Sequence, residues 1–268
     1  MVLTYSVGEI VPYINWLFFY HAWGVPPRSG EAVRLRREAE SLLGTLEGRI
    51  QTRALFRLCQ ANSQGDDILI EGVRFAMLRQ QTPHADGSPF LCLSDYIRPL
   101  SGGIPDQIGL FAASCEGTTE QLHREDPYLR MLTQTLSDRL AEATTEKLHE
   151  YVRRRAWGYA REEQLPVSEL LKEKYQGIRP AVGYPSLPDQ SIVFLLNGLL
   201  NMEQIGIRLT ENGMMRPHAS TCGLMMAHPR ARYFLVGKIG EDQFQDYARR
   251  RGIPPQELRK YVAANLEG

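Results

Sequence analysis

A chain of 268 residues that is 43% hydrophobic and 9% aromatic carries enough apolar material for one large packed domain or two small ones, which excludes a disordered polymer. Its 31 lysines and arginines balance 31 aspartates and glutamates, so bulk binding to nucleic acid or to an anionic membrane is not its main activity. No apolar run approaches the ~20 residues that span a bilayer, the opening Met1-Val-Leu-Thr-Tyr5 lacks the basic stretch of a secretory leader, and Cys59, Cys92, Cys115 and Cys222 lie too far apart for a C-x-x-C pair, which fits reduced thiols in a cytoplasmic protein.

Ala32, Leu35, Ala39, Leu42 and Leu46 recur at three- and four-residue steps and predict a helix over 31–59. Asp66 and Asp67 mark a turn, Ile68–Ile70 begins a strand, and Val73–Leu78 reads as its partner. Pro83, Asp86, Gly87 and Pro89 predict a loop over 82–89, and the apolar run Ile108–Ala113 a buried strand. A long helix is predicted over 125–155. Asp126 supplies an acceptor at the N-cap and Pro127 sits at N1; Leu129, Leu132, Leu136, Leu140 and Ala143 form one stripe; Arg153–Arg155 bring positive charge to the end of the helix dipole. Helices over 166–174 and 189–204, a strand over 232–239, and closing helices over 241–251 and 254–264 complete the reading. There is no internal repeat and no low-complexity linker, and one mixed α+β domain over 1–268 is the simplest account.

Cofactor signatures are sparse. There is no P-loop and no H-E-x-x-H, Gly102-Gly103 lacks dinucleotide-binding spacing, and the six histidines are dispersed, so no metal centre is indicated. The stretch Tyr175–Pro185 (YQGIRPAVGYP) stands out instead, with two prolines and two glycines in eleven residues. Pro180 restricts Arg179 toward extended backbone, and Gly183 permits a positive φ or a close backbone approach. An arginine fixed beside exposed backbone groups suits a small zwitterion, because a guanidinium grips a carboxylate through two parallel bonds. The alternative reading of the same residues is a surface loop between two elements.

Arg179-Pro-Ala-Val-Gly-Tyr184 fits an R-x-x-x-G-Y motif, and it does not stand alone. Tyr13–Trp16, Leu78–Gln81, Leu93–Tyr96, Asp106–Phe111, Asp138–Ala143, Leu148–Glu150, Trp157–Tyr159, His228–Pro229, Tyr233–Phe234 and Asp246–Gly252 form an ordered set along most of the chain. With this set the sequence resembles the S-adenosylmethionine-binding activation domain of cobalamin-dependent methionine synthase. The resemblance implies a single α+β domain, a mostly antiparallel twisted sheet with flanking helices. It implies S-adenosylmethionine as ligand, cobalamin carried by a separate cobalamin-binding methionine synthase polypeptide, and a flavodoxin-type reductant. In that chemistry the cobalt is the nucleophile toward the sulfonium methyl group, so no catalytic side chain and no metal ligand are expected from this chain, which is half of a methyltransferase site. A non-catalytic S-adenosylmethionine-binding or interaction module serving another corrinoid protein is the other reading.

By resemblance, Arg179 pairs with the ligand carboxylate, Ala181 and Gly183 offer backbone contacts, and Tyr184 packs on the ligand unless it is a core tyrosine. Glu142 matches an acidic ligand contact, although at ~100° per residue it lies roughly 120° from the apolar stripe of its helix, where a solvated glutamate is the ordinary reading. Tyr233 and Phe234 match paired aromatics on a strand, one facing the site and the other the core. Asn15 stands where the family has an aspartate that contacts the ligand amino group; it keeps a carbonyl acceptor and loses the charge, which implies weaker binding. His218, in place of glycine, reads as a surface residue, and Asp189-Gln190, in place of Glu-His, as a change at the pocket rim. The arginine runs 153–155 and 249–251 read as solvated helix ends or as a docking site for an acidic flavodoxin.

Overall fold

The computed structural model describes residues 1–83, 85–116 and 121–266. The chain forms two compact units: one of Met1–Phe56, Ala112–Tyr175 and Met202–Thr221, the other of Arg57–Phe111, Gln176–Asn201 and Cys222–Gly268.

In the first unit, β1 (Val2–Ser6) pairs antiparallel with the start of β2 (Gln51–Gln64), Tyr5 opposite Thr52. Ser6 and Glu9 close a capping box on α1 (Val7–Ile10), and Asn15 caps α2 (Trp16–Ala22). Ser29 caps α3 (Gly30–Leu46), and Asp126 accepts from the Leu129 N–H at the start of α4 (Pro127–Tyr151), as its acceptor-then-proline signature predicts. The α3 positions Ala32, Leu35, Ala39, Leu42 and Leu46 all point inward, and Leu132, Leu136, Leu140 and Ala143 of α4 join them in one core with Ile10 and Phe19. Each such leucine taken fully from water contributes about 1.5–3 kcal/mol.

The expected helix over 31–59 is corrected: α3 ends at Leu46. Gly48 takes the left-handed conformation, φ +73°, and both Arg49 and Ile50 donate to the Leu46 carbonyl, which closes the helix end. The following residues become β2, in which buried Thr52 and Ala54 alternate with the more exposed Gln51 and Arg53 before Leu55 and Phe56 are both buried. After α4 the chain makes one wider turn over 152–156, with the Trp157 N–H reaching back to Val152. The helix expected over 166–174 is one turn, α5 (Val167–Leu170). A two-stranded ribbon, β6 (Arg208–Leu209) and β7 (Met215–Arg216), completes the unit.

In the second unit, β3 (Asp67–Ile70) lies antiparallel between the later half of β2 and β4 (Val73–Ala76). Glu71 and Gly72, both at positive φ, form the two-residue hairpin joining β3 to β4. With β5 (Asp106–Cys115) and β8 (Ser220–Met225) the strand order is β4-β3-β2-β5-β8, β1 pairing with β2. The helix expected over 189–204 is α6 (Ile192–Leu200), stopped where Asn201 adopts φ +52°. The closing helices are α7 (Glu241–Arg251) and α8 (Pro255–Val262). Phe244, Tyr247, Leu258 and Val262 pack with Leu78, Val236 and Ile239 in this unit's core.

The strand expected over 232–239 is also corrected. Phe234 donates its N–H to the Ser186 side chain, Val236 to the Pro185 carbonyl, and Gly237 turns to φ +77°, so the segment is extended but builds no ladder. The α+β class, with an antiparallel sheet and flanking helices, is as expected. Among the described residues, no helix is long and apolar enough to cross a membrane.

Candidate functional site

The R-x-x-x-G-Y segment is built on β8, within the second unit. Ile178 and Met226 exchange both backbone hydrogen bonds at 2.9 Å, Leu224 donates to the Pro180 carbonyl at 3.0 Å, and Val182 donates to Cys222 at 2.9 Å. The register is antiparallel, Ile178 opposite Met226 and Ala181 opposite Gly223. Pro180 has no N–H to return, so the pairing lacks a bond in its middle.

The chain then turns. Tyr184 donates to the Ala181 carbonyl at 3.2 Å, with Gly183 at φ +86° in the third position, as a type II turn requires. Gly183 donates to Leu187, and Leu187 back to Tyr184, both at 2.8 Å. This double closure pushes Tyr184 outward: it is 49% exposed, which removes the core-tyrosine reading. Arg179 is half-buried, and its backbone N–H donates to the Tyr233 hydroxyl at 2.9 Å. Phe234 packs against the core cluster of Val236 and Phe244. The second unit thus brings together Arg179, Ala181, Gly183, Tyr184, Tyr233 and Phe234, with Tyr233 at the motif and its neighbour toward the core.

Asn15 and Glu142 belong to the first unit. Asn15 spends its side-chain oxygen on the Leu17 N–H, 3.2 Å away, as the cap of α2. Glu142 is held by both guanidinium nitrogens of Arg139, at 3.0 and 3.2 Å, with 31% of its side chain exposed. It is therefore a fixed, partly shielded carboxylate rather than a freely solvated one. Tyr175, which opens the motif stretch, is buried in the same unit, edge-on to His149 and beneath the Arg153 guanidinium, 4.1 Å from its ring centre.

Two expectations are corrected. The arginine runs are mostly interior: Arg153 is 1% exposed and doubly bonded to Glu163 at 3.0 and 2.6 Å, while Arg251 is buried against Asp189 and Arg250 pairs with Asp67 and Asp246. Only Arg155 and Arg249 of the two runs are exposed. The wide turn after α4 is what brings Arg153 to Glu163. Asp189 is likewise buried, not on a rim. It accepts from the Ser191 N–H at 2.8 Å, the Ser191 hydroxyl at 2.9 Å, the Tyr247 hydroxyl at 2.7 Å and Arg251 at 3.2 Å. Burial, then the Asp189 charge, holds the Tyr247 phenol well above its ordinary pKa. His218 is on the surface, 4.0 Å from Asp138.

Sequence reasoning missed Arg139, Glu163 and Gly223. The first two carry no signal, because an exposed and a buried arginine–glutamate pair read alike. Gly223 did carry one: a glycine inside an apolar run often marks a close backbone approach.

A family model for the activation domain of vitamin B12 dependent methionine synthase matches residues 6–252, and the chain belongs to that family. Among solved structures, the MetH reactivation domain bound to AdoHcy is similar to it, with 35% identity and a TM-score of 0.91 over 100% of this chain and 91% of that one.

Proposed function

We propose that the chain is a reactivation module that binds S-adenosylmethionine and presents its methyl group to cobalamin held by a methionine synthase polypeptide. The observation that carries this reading is the Arg179–Tyr184 segment: a backbone-anchored arginine followed by a glycine turn with an outward tyrosine, in a chain that matches along its whole length a domain bound to AdoHcy. Arg179 grips the ligand carboxylate, the Ala181 and Gly183 backbone meets the nucleoside, and Tyr184 and Tyr233 cover it. Asn15 and Glu142 are ligand contacts on the resemblance alone. The corrinoid supplies the nucleophilic metal; the chain supplies binding, orientation and exclusion of water. The four cysteines are free and buried, which suits a cytoplasmic setting. A flavodoxin-type reductant acts on the partner's corrinoid, and of the two arginine runs Arg155 and Arg249 are the exposed members that could meet it.

Asn15 favours a second reading, a non-catalytic S-adenosylmethionine-binding module serving another corrinoid protein, because its neutral, already engaged oxygen weakens the hold on an ammonium group. Calorimetric titration with S-adenosylmethionine tests the binding common to both. Saturable binding that Arg179→Ala abolishes supports it, and no heat at millimolar ligand rejects it. Restoration of turnover to an oxidised, truncated methionine synthase then separates the two.

A further inference from the structure

Gly223 has no room for a side chain. A Cβ at that position would stand 2.2 Å from the Pro180 carbonyl oxygen, 2.8 Å from the Ala181 Cα and 2.8 Å from the Phe111 ring, where real Cβ atoms stay beyond 3.0 Å. Two of these three atoms are backbone, which cannot rotate aside. Gly223 does not adopt a left-handed φ, so the backbone conformation does not demand glycine there; the close approach does. It sits between the two rungs that hold the motif segment, Cys222 accepting from Val182 and Leu224 donating to Pro180. At the Pro180–Leu224 rung Pro180 offers no donor, so only one bond forms there, and the close contact with the adjacent Gly223 is a further constraint on the segment.

We propose that Gly223 is a positioning residue for the ligand site: its bare backbone sets the depth at which Pro180 and Ala181 lie on β8, and through them the placement of Arg179 on one side and of the Ala181–Tyr184 turn on the other. This deepens, and rests on, the reading of that segment as the S-adenosylmethionine contact. A methyl group at 223 forces Pro180 and Ala181 outward by about 1 Å to restore van der Waals spacing. A displacement of that size carries the arginine and the turn out of register with the ligand together, and costs about tenfold to a hundredfold in affinity.

The test is calorimetric titration of the full chain with S-adenosylhomocysteine, for wild type, Gly223→Ala and the control Gly198→Ala, whose new methyl on α6 meets nothing within 4 Å. It is paired with amide hydrogen exchange of the unliganded proteins. The expected result is a loss of affinity in Gly223→Ala alone, with faster exchange confined to the Val182 and Leu224 amides. Because the single change can strain the fold, Gly223→Ala is also made with Phe111→Leu, which removes the one side-chain obstacle and leaves the backbone clash; thermal unfolding establishes which variants are folded, and a folded double variant is expected still to bind weakly. Wild-type affinity in Gly223→Ala, or its recovery in the double variant, overturns the positioning role while leaving the ligand reading intact. Wild-type protein that binds no S-adenosylhomocysteine overturns the ligand reading and the positioning role with it.

Discussion

The Tyr233 hydroxyl accepts a hydrogen bond from the backbone N–H of Arg179 at 2.9 Å, across 54 residues of sequence. The side chain that matches an aromatic ligand contact therefore also anchors the main chain of the residue that matches the carboxylate contact. Tyr233→Phe removes the acceptor and leaves the ring. It should cost about 1 kcal/mol of binding through a less ordered Arg179. The loss should appear with S-adenosylhomocysteine and be absent with 5′-methylthioadenosine, which has no carboxylate. Equal weakening of both in parallel titrations would argue against the anchoring role.

Arg179→Lys keeps a positive charge and loses the planar fork. If a two-point grip on a carboxylate is at work, it should weaken S-adenosylmethionine binding by about 1.5–3 kcal/mol, tenfold or more in Kd. A lysine variant that binds as wild type would mean that charge alone suffices.

Asn15→Asp separates binding from stability. Asparagine and aspartate are equally good helix caps, so thermal stability should stay within about 0.5 kcal/mol of wild type. Affinity for the ammonium-bearing ligand should rise, and the gain should shrink as salt is added. Calorimetry at low and high ionic strength reads both effects.

Glu163→Gln leaves Arg153 charged in the interior with its partner neutralised. Breaking a buried pair from one side costs about 3–5 kcal/mol, so the melting temperature should drop by roughly 10 °C. A drop of a degree or less would return Arg153 to the class of solvated helix-end residues.

Burial pushes the Cys92 thiol up to about 11 and those of Cys115 and Cys222 up to about 12. Unfolded thiols ionise near 8.5, so the stability linked to these groups is complete below that pH and is lost as pH rises toward 11 or 12. Each contributes a slope of about 1.4 kcal/mol per pH unit in that window. Urea midpoints measured from pH 8 to 11 should fall accordingly, and less steeply in Cys222→Ala.

Local signals were legible where one interaction decides the outcome. Asp126-Pro127 starts α4, the helix expected over 241–251 is α7, and Gly183 turns where its lack of a Cβ is needed. What was not legible depends on partners distant in sequence. Residues 51–59 continue a plausible helical spacing; pairing of 51–55 with Val2–Ser6, and of β2 with β5, makes them a strand. Residues 232–239 have strand composition, yet Ser186 and Pro185 take the bonds a ladder would use. The motif stretch reads as a loop because its prolines hide an antiparallel pairing with β8. Arg179 and Gly183 stood out from the residues themselves and the other six candidate site residues were named by resemblance; Arg139 carried no signal, and that of Gly223, a glycine inside an apolar run, was passed over.

The two compact units are each assembled from three separated stretches, with the chain passing from one to the other after Phe56, Phe111, Tyr175, Asn201 and Thr221. No continuous fragment contains either unit alone. A ribosome that has released residues 1–175 has made most of the first unit, yet 202–221 are still to come, and Asn15 and Glu142 leave it before Arg179 does. Such wiring raises the sequence separation of native contacts and slows folding. It also means that dissecting this protein by truncation will yield misfolded pieces, whereas point substitutions and circular permutants will keep both halves complete.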